Sequence, residues 1–142
     1  MRVHPYISPN GPPVTVDQLL EAARSELIRL TPAAALAAMR RGALLVDIRA
    51  DAERWRDGLV PGARNVSRNV LEWRCDPASP HGDPELARAD AHLVLMCNEG
   101  FQSSLAAATL QLLGIRRATD MVGGFQAWRG AGLPVRPANE VG

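Results

Sequence analysis

Residues 92–113 read HLVLMCNEGFQSSLAAATLQLL, and no other stretch limits the fold as much. Leu93, Val94, Leu95 and Met96 form an apolar run without polar alternation, which suits a parallel strand covered on both faces rather than an exposed edge. Cys97 sits where that strand ends. From Gln102 onward, Leu105, Ala106, Thr109, Leu110, Leu112 and Leu113 recur at helical spacing, and Gly114 follows as a stop. A strand, a short loop and a helix in that order aim backbone N–H groups at one point. A sulfur held there meets unpaired donors and the positive end of a helix dipole, and both favour thiolate over thiol. The alternative is a small buried thiol at a strand end. The polar, glycine-containing Asn98-Glu99-Gly100 favours the nucleophile, because it predicts a sulfur near the surface.

The outer bounds agree with one domain. A chain of 142 residues can bury a proper core but is short for two ordinary domains. Its net charge of +1 provides no field for nucleic acid or an anionic membrane. Cys75 and Cys97 are the only cysteines, too few for a disulfide framework, so a reducing, cytoplasmic setting is expected. The opening MRVHPYISPNGPP lacks the apolar core of a secretory signal, and no later run approaches the length of a membrane span. His4, His81 and His92 are scattered and form no metal-ligand cluster. Neither a metal nor a cofactor is expected.

Prolines at 5, 9, 12 and 13 predict an irregular arm over residues 1–14. Thr15 with Gln18 is a capping box opening a helix, whose Leu19, Leu20, Ala23 and Leu27 share a face that should pack on the outside of the domain. Residues 27–30 can form a short strand, and Thr31-Pro32 starts a second helix ending near Gly42. Residues 43–47 form a second apolar strand finishing on Asp47. Residues 52–58 make a short polar helix, and 59–66 a turn into a brief strand. The long connection 67–91 holds a helical stretch at 70–73, and connections of that length usually shape a site. Residues 114–122 then give a turn and one more short strand, Gly123-Gly124 break it, 125–131 form a last small helix, and Leu133-Pro134-Val135 close the domain. This alternation predicts an α/β fold with a mostly parallel sheet and helices on both faces. Ligands in such sheets bind beyond the carboxyl ends of the strands, where Asp47, Arg49 and Cys97 would meet.

The order LLVDIR, GLVPGARNV, LVLMCNEG and LGIRRATDMVGGFQAWRGAGLPV resembles a rhodanese-like domain over residues 27–137. Residues 1–26 are then an arm with an extra helix, and 138–142 a tail. The resemblance implies a five-stranded, mostly parallel sheet and a sulfurtransferase whose cysteine carries sulfane sulfur as a persulfide from a donor to a thiol or cyanide. By position, Cys97 matches the sulfur-accepting cysteine. Asn98, Glu99, Gly100, Phe101 and Gln102, with Ser103 beyond them, match the loop whose N–H groups cradle the transferred sulfur. The partners implied are a small sulfur donor and a thiol acceptor, or a protein persulfide, with no nucleic acid and no membrane; the oligomeric state stays open.

Three departures matter. The family loop often ends in Arg, but here the position is Gln102, and with Glu99 the loop has no side-chain cation to capture a dianion such as thiosulfate. Weak thiosulfate activity is therefore expected. Where many relatives read G-H-I-P-G-A, this chain has Gly58-Leu59-Val60-Pro61-Gly62-Ala63, which should alter loop packing more than chemistry. The phosphatase and arsenate-reducing relatives place Arg one position further, where this chain has Ser103, so phosphate hydrolysis is not expected.

Supporting roles are open for several residues. Asp47 and Arg49 either line the site or pair to fix the loop ends. Arg68 and Arg74 either lend charge or sit solvated, and Trp73 either walls the pocket or packs. Cys75 either resolves a Cys97 persulfide or is inert. Gly123 and Gly124 serve a backbone turn, and Trp55 and Trp128 read as core or helix-docking residues. The alternative to an enzyme is a rhodanese-like module that binds or senses a sulfur species or a partner protein.

Overall fold

In a computed structural model describing residues 7–139, the helices are α1 (Val16–Arg24), α2 (Pro32–Arg40), α3 (Asp51–Asp57), α4 (Leu71–Cys75), α5 (Gln102–Leu112) and α6 (Gly124–Gly130). A 3-10 turn at Arg68–Val70 leads into α4. The strands β1 (Leu44–Asp47), β2 (Arg64–Asn65), β3 (Leu93–Met96) and β4 (Thr119–Asp120) form one parallel sheet in the order β2-β1-β3-β4. Arg64 of β2 pairs with Val46, Leu44 with Leu93, and Val94 with Thr119.

The expected five-stranded sheet has four strands, and the predicted strand at 27–30 is reduced to a bridge from Leu30 to Met121. Leu30 donates to Asp120 O at 3.0 Å and accepts from Val122 N at 2.8 Å. Thr31 then caps α2 through its Oγ1 to Ala34 N, and Pro32 has no N–H to extend a ladder, so pairing stops after one residue.

Strand alternation explains why the apolar runs lack polar interruptions. Val46, Leu93, Leu95 and Cys97 face one core with Leu71, Leu86, Ala107 and Leu110, while Leu45, Val94 and Met96 face a second with Ala35, Phe125 and Trp128. All of β3 is buried, and each such aliphatic side chain contributes about 2 kcal/mol on leaving water. Helices α1 and α5 pack together on the first face, and α2 and α6 on the second. The capping box at Thr15 forms as expected, with Gln18 N donating to Thr15 Oγ1 and Thr15 N to Gln18 Oε1. Helix α1 buries Ala22 and Ala23 and lies outside the sheet. Trp128 is buried and donates Nε1 to Pro134 O at 2.8 Å, whereas Trp55 is 64% exposed and is no core residue. The part of the arm at residues 1–6 and of the tail at 140–142 lies outside the described residues.

Candidate active site

Strand β3 ends at Met96, and the chain turns through residues 97–101 before α5 begins. Two devices hold that turn. Gly100 has φ +85°, where a Cβ would lie 2.7 Å from Gly123 N, so the turn needs glycine for conformation and for space. From the other side, Phe125 N donates to Cys97 O at 2.9 Å and Gln126 N to Asn98 O at 3.1 Å. Gly124, at φ +60°, permits this approach, since a Cβ there would sit 2.5 Å from Cys97 O. The Gly123-Gly124 pair thus brings α6 against the cysteine loop, beyond making a turn. Gln126 Nε2 adds a bridge, donating to Asn98 Oδ1 at 3.0 Å and Asp57 Oδ2 at 2.9 Å. The Arg56 guanidinium, with Gln126, holds the Asp57 carboxyl well below the usual carboxylate range.

Cys97 is more enclosed than the polar loop predicts, with 2% of its surface exposed. It sits in the wall of a pocket of about 300 Å³ with Glu53, Asn98, Glu99, Phe101 and Gln102. The burial comes from its place on the inward face of the first core, one residue past β3. Gly100 N–H donates to Cys97 Sγ at 3.1 Å, and Sγ lies 3.3 Å from Ser103 Oγ. The N–H groups of Asn98, Glu99 and Phe101 have no acceptor among the described residues, and all three residues line the pocket.

Beneath the loop is a closed polar network. Ser103 and Ser104 both donate to Asp120 Oδ2 at 2.7 Å. Asp120 is fully buried and is gripped by Arg29, whose Nε reaches Oδ1 at 2.8 Å and whose Nη2 reaches Oδ2 at 3.2 Å. The same Arg29 Nη2 donates to Gly100 O at 3.0 Å, and Arg24 Nη2 donates there at 2.7 Å while its Nε reaches Ser104 Oγ at 3.1 Å. Burial, then repulsion from Arg29, lowers the pKa of Arg24, and Asp120 and Cys97 oppose the shift. Residues 24 and 29 carried no sequence signal for the site; the one available hint was Asp120, a carboxylate in the short strand before Gly123-Gly124.

Asp47 and Arg49 form a buried ion pair rather than pocket wall. Arg49 Nη2 donates to Asp47 Oδ2 at 2.8 Å and to Gly58 O at 2.7 Å, with its guanidinium stacked 3.9 Å over the Phe125 ring. The pair therefore joins the end of β1 to α3 and α6. Arg68 does not reach the cysteine pocket; it pairs with Glu72 at 2.8 Å. Arg74 donates to His81 O at 2.9 Å and leans on Asp83. Trp73 is 58% exposed and is absent from the pocket lining, so it neither walls the pocket nor packs in the core. Cys75 is a free, buried thiol that burial, then Asp83 and Glu72, pushes up to about 11. Among the described residues no group of side chains could hold a metal ion, and no helix is long and apolar enough to cross a membrane.

A parallel sheet that delivers a cysteine loop to a helix start, held by a double-glycine turn, defines a rhodanese-type α/β domain. The sequence matches the rhodanese-like domain family over residues 31–131, and the chain belongs to that family. It is 32% identical over 105 residues to a protein named thiosulfate sulfurtransferase GlpE from Ectopseudomonas mendocina, covering 74% of this chain and 87% of that one. A relative of the same name from Haemophilus influenzae is 32% identical over 107 residues, covering 75% and 91%. Among solved structures, a Rhodopseudomonas palustris protein of unknown function, described as a possible tyrosine phosphatase, matches with TM-score 0.80 and 36% identity over 91% of this chain and 99% of that one. A polysulfide-sulfur transferase homodimer from Wolinella succinogenes shares the fold at TM-score 0.65 and 24% identity, covering 88% and 90%.

Proposed function

We propose that this protein is a sulfurtransferase that carries sulfane sulfur on Cys97, taking it from a persulfide or polysulfide in preference to thiosulfate. The observation that carries the reading is Cys97 in the wall of a pocket, with Gly100 N–H on its sulfur and further loop N–H groups without acceptors. The Cys97 thiolate attacks the outer sulfur of the donor. The donor S–S bond breaks, its inner sulfur leaves with the electron pair, and Cys97 becomes a persulfide. An acceptor thiolate or cyanide then attacks the outer sulfur and releases the Cys97 thiolate. Loop N–H groups stabilise the charge on sulfur in both steps.

The donor preference follows from the pocket wall. Its charged members are Glu53 and Glu99, both carboxylates, with Gln102 where a fixed cation would serve a dianion. The two guanidiniums nearest the loop, Arg24 and Arg29, donate to Gly100 O and to the Ser104 and Asp120 side chains, and neither lines the pocket. The relatives named for thiosulfate are the reason to test this directly. The phosphatase description of one neighbour finds no support here, since Ser103 occupies the position of the phosphate-binding Arg and donates to Asp120.

Intact mass after exposure to a low-molecular-weight persulfide should show one added sulfur atom in the wild type and none in Cys97→Ser. Steady-state rates should be lowest with thiosulfate, and thiosulfate as the best donor would overturn the preference while leaving the transfer. The 2% exposure of Cys97 favours a second reading, a module that binds a sulfur species or partner without turnover. That reading wins if Cys97 takes up no sulfur and alkylates no faster than Cys75.

A further inference from the structure

The edge of the sheet away from Cys97 gathers cations. Arg41 lies just before β1, His92 immediately before β3, and Arg116 and Arg117 shortly before β4. Because the strands are parallel, these residues share the amino-terminal edge, and Cys97 leaves from the opposite one. Arg41, Arg88, Asp90, His92 and Arg117 surround a hollow of about 200 Å³ floored by Gly42 and Ala43.

The charges in this hollow do not cancel. Its one carboxylate, Asp90, lies 3.8 Å from Arg88. Arg41 and Arg117 make no ion pair among the described residues. The groups facing half-buried His92 are Arg41 from the end of α2, Arg88 and Asp90 from the segment before β3, and Arg116 and Arg117 from the turn before β4. Burial, then the Arg117 and Arg41 charges, lowers the His92 pKa, so both guanidiniums bear on the same ring. Two unpaired guanidiniums converging on an imidazole are an arrangement that an anion relieves.

We propose that this hollow is a binding site for a small tetrahedral oxyanion of the phosphate or sulfate class, separate from the cysteine pocket. Arg41 and Arg117 supply paired N–H donors, and His92 adds a third contact once protonated. The hollow is smaller than pockets that enclose whole organic ligands, about 300–1,000 Å³, so it takes the anionic group alone. A second hollow of about 310 Å³ shares His92 and Arg117 and is lined by Ile28, Leu30 and Ala118. It offers an apolar seat beside the anion, as a phosphate monoester would need. The site does not depend on sulfur transfer at Cys97.

The test uses the full chain carrying Cys97→Ser, which leaves this edge intact and removes chemistry at the loop. Inorganic sulfate, inorganic phosphate and phenyl phosphate are titrated while calorimetry and the His92 NMR resonances are followed. Sulfate should raise the His92 pKa by about half a unit or more and leave exposed His81 unmoved. Sulfate does not titrate in this range, so its affinity should fall as pH rises through the His92 transition. Arg41→Gln with Arg117→Gln should weaken binding about tenfold or more, with the fold checked by circular dichroism. Phenyl phosphate binding tighter than phosphate supports the site and identifies an ester ligand; equal affinity supports it with the free anion as ligand. The proposal is overturned if no anion moves His92 below about 10 mM, a ceiling already weaker than ordinary millimolar binding. It is equally overturned if the double variant binds as well as its parent.

Discussion

Ser103 stands between Cys97 and Asp120, its Oγ 3.3 Å from the thiol sulfur and 2.7 Å from the carboxylate Oδ2. A hydroxyl has one proton, and Asp120, which accepts from Arg29 through both carboxylate oxygens, takes it. Ser103 therefore accepts from the Cys97 thiol, and the donor to sulfur is Gly100 N–H.

Asp120→Asn should reverse that hydroxyl. The new amide can donate to Ser103 Oγ, which frees the hydroxyl proton to turn toward sulfur and favour the thiolate. Iodoacetamide should then modify Cys97 faster at neutral pH in Asp120→Asn than in wild type, and adding Ser103→Ala should remove part of the gain. The same change leaves Arg29 without its carboxylate and should cost about 3 kcal/mol in urea unfolding. An unchanged alkylation rate would mean that Asp120 supports the loop without influencing the sulfur.

Gly124→Ala should damage the loop from behind. Its Cβ would fall 2.5 Å from Cys97 O and 2.8 Å from Asn98 O, at φ +60°, where side chains are strained. A loss of about 2 kcal/mol or more is expected, together with slower persulfide formation on Cys97 read by mass spectrometry. Gly130→Ala is the control, because a Cβ there meets nothing within 4 Å.

Gln102→Arg should restore a cation to the pocket wall. The expected result is a rise of about tenfold in kcat/KM for thiosulfate, with little change for an uncharged donor such as a dialkyl trisulfide. Parallel steady-state assays with both donors check it, and an equal rise for both would show that charge is not what limits thiosulfate.

Cys75 gives the protein an alkaline limit. Burial raises its pKa from 9.0 to about 11 in the folded chain. The folded state thus holds this proton more tightly, so the stability it contributes is complete below about pH 9 and is lost as pH rises through about 11. The decline is at most about 3 kcal/mol. The chain has no lysine and one tyrosine, so few other groups titrate there. Denaturation midpoints between about pH 8 and 11 should fall in wild type and stay flatter in Cys75→Ala. In the folded protein at about pH 8, iodoacetamide should leave Cys75 unmodified.

What could be read from the sequence was local. The apolar run of β3, the caps at Thr15 and Thr31, and the cysteine loop before α5 each announce themselves within a few residues, because propensity, capping and strand alternation act at short range. The network under the loop joins partners 71 to 91 residues apart, Arg24 and Arg29 with Gly100, Ser104 and Asp120, and no periodicity encodes such a meeting. The burial of Cys97 was missed for a related reason. The polar Asn98-Glu99-Gly100 describes the pocket mouth, while strand alternation continues through Cys97 and points it inward. The exposure of Trp55 and Trp73 likewise depends on what the rest of the chain brings near them, which neighbouring letters do not reveal.

The family match begins at residue 31, yet both guanidiniums that brace Gly100 come from before it. A fragment trimmed to that boundary would retain Cys97 and forfeit the struts beneath it. The stiffness of the cysteine turn thus draws in part on a segment ahead of the family match, and prising α1 from α5 would slacken the turn without touching a residue in the pocket.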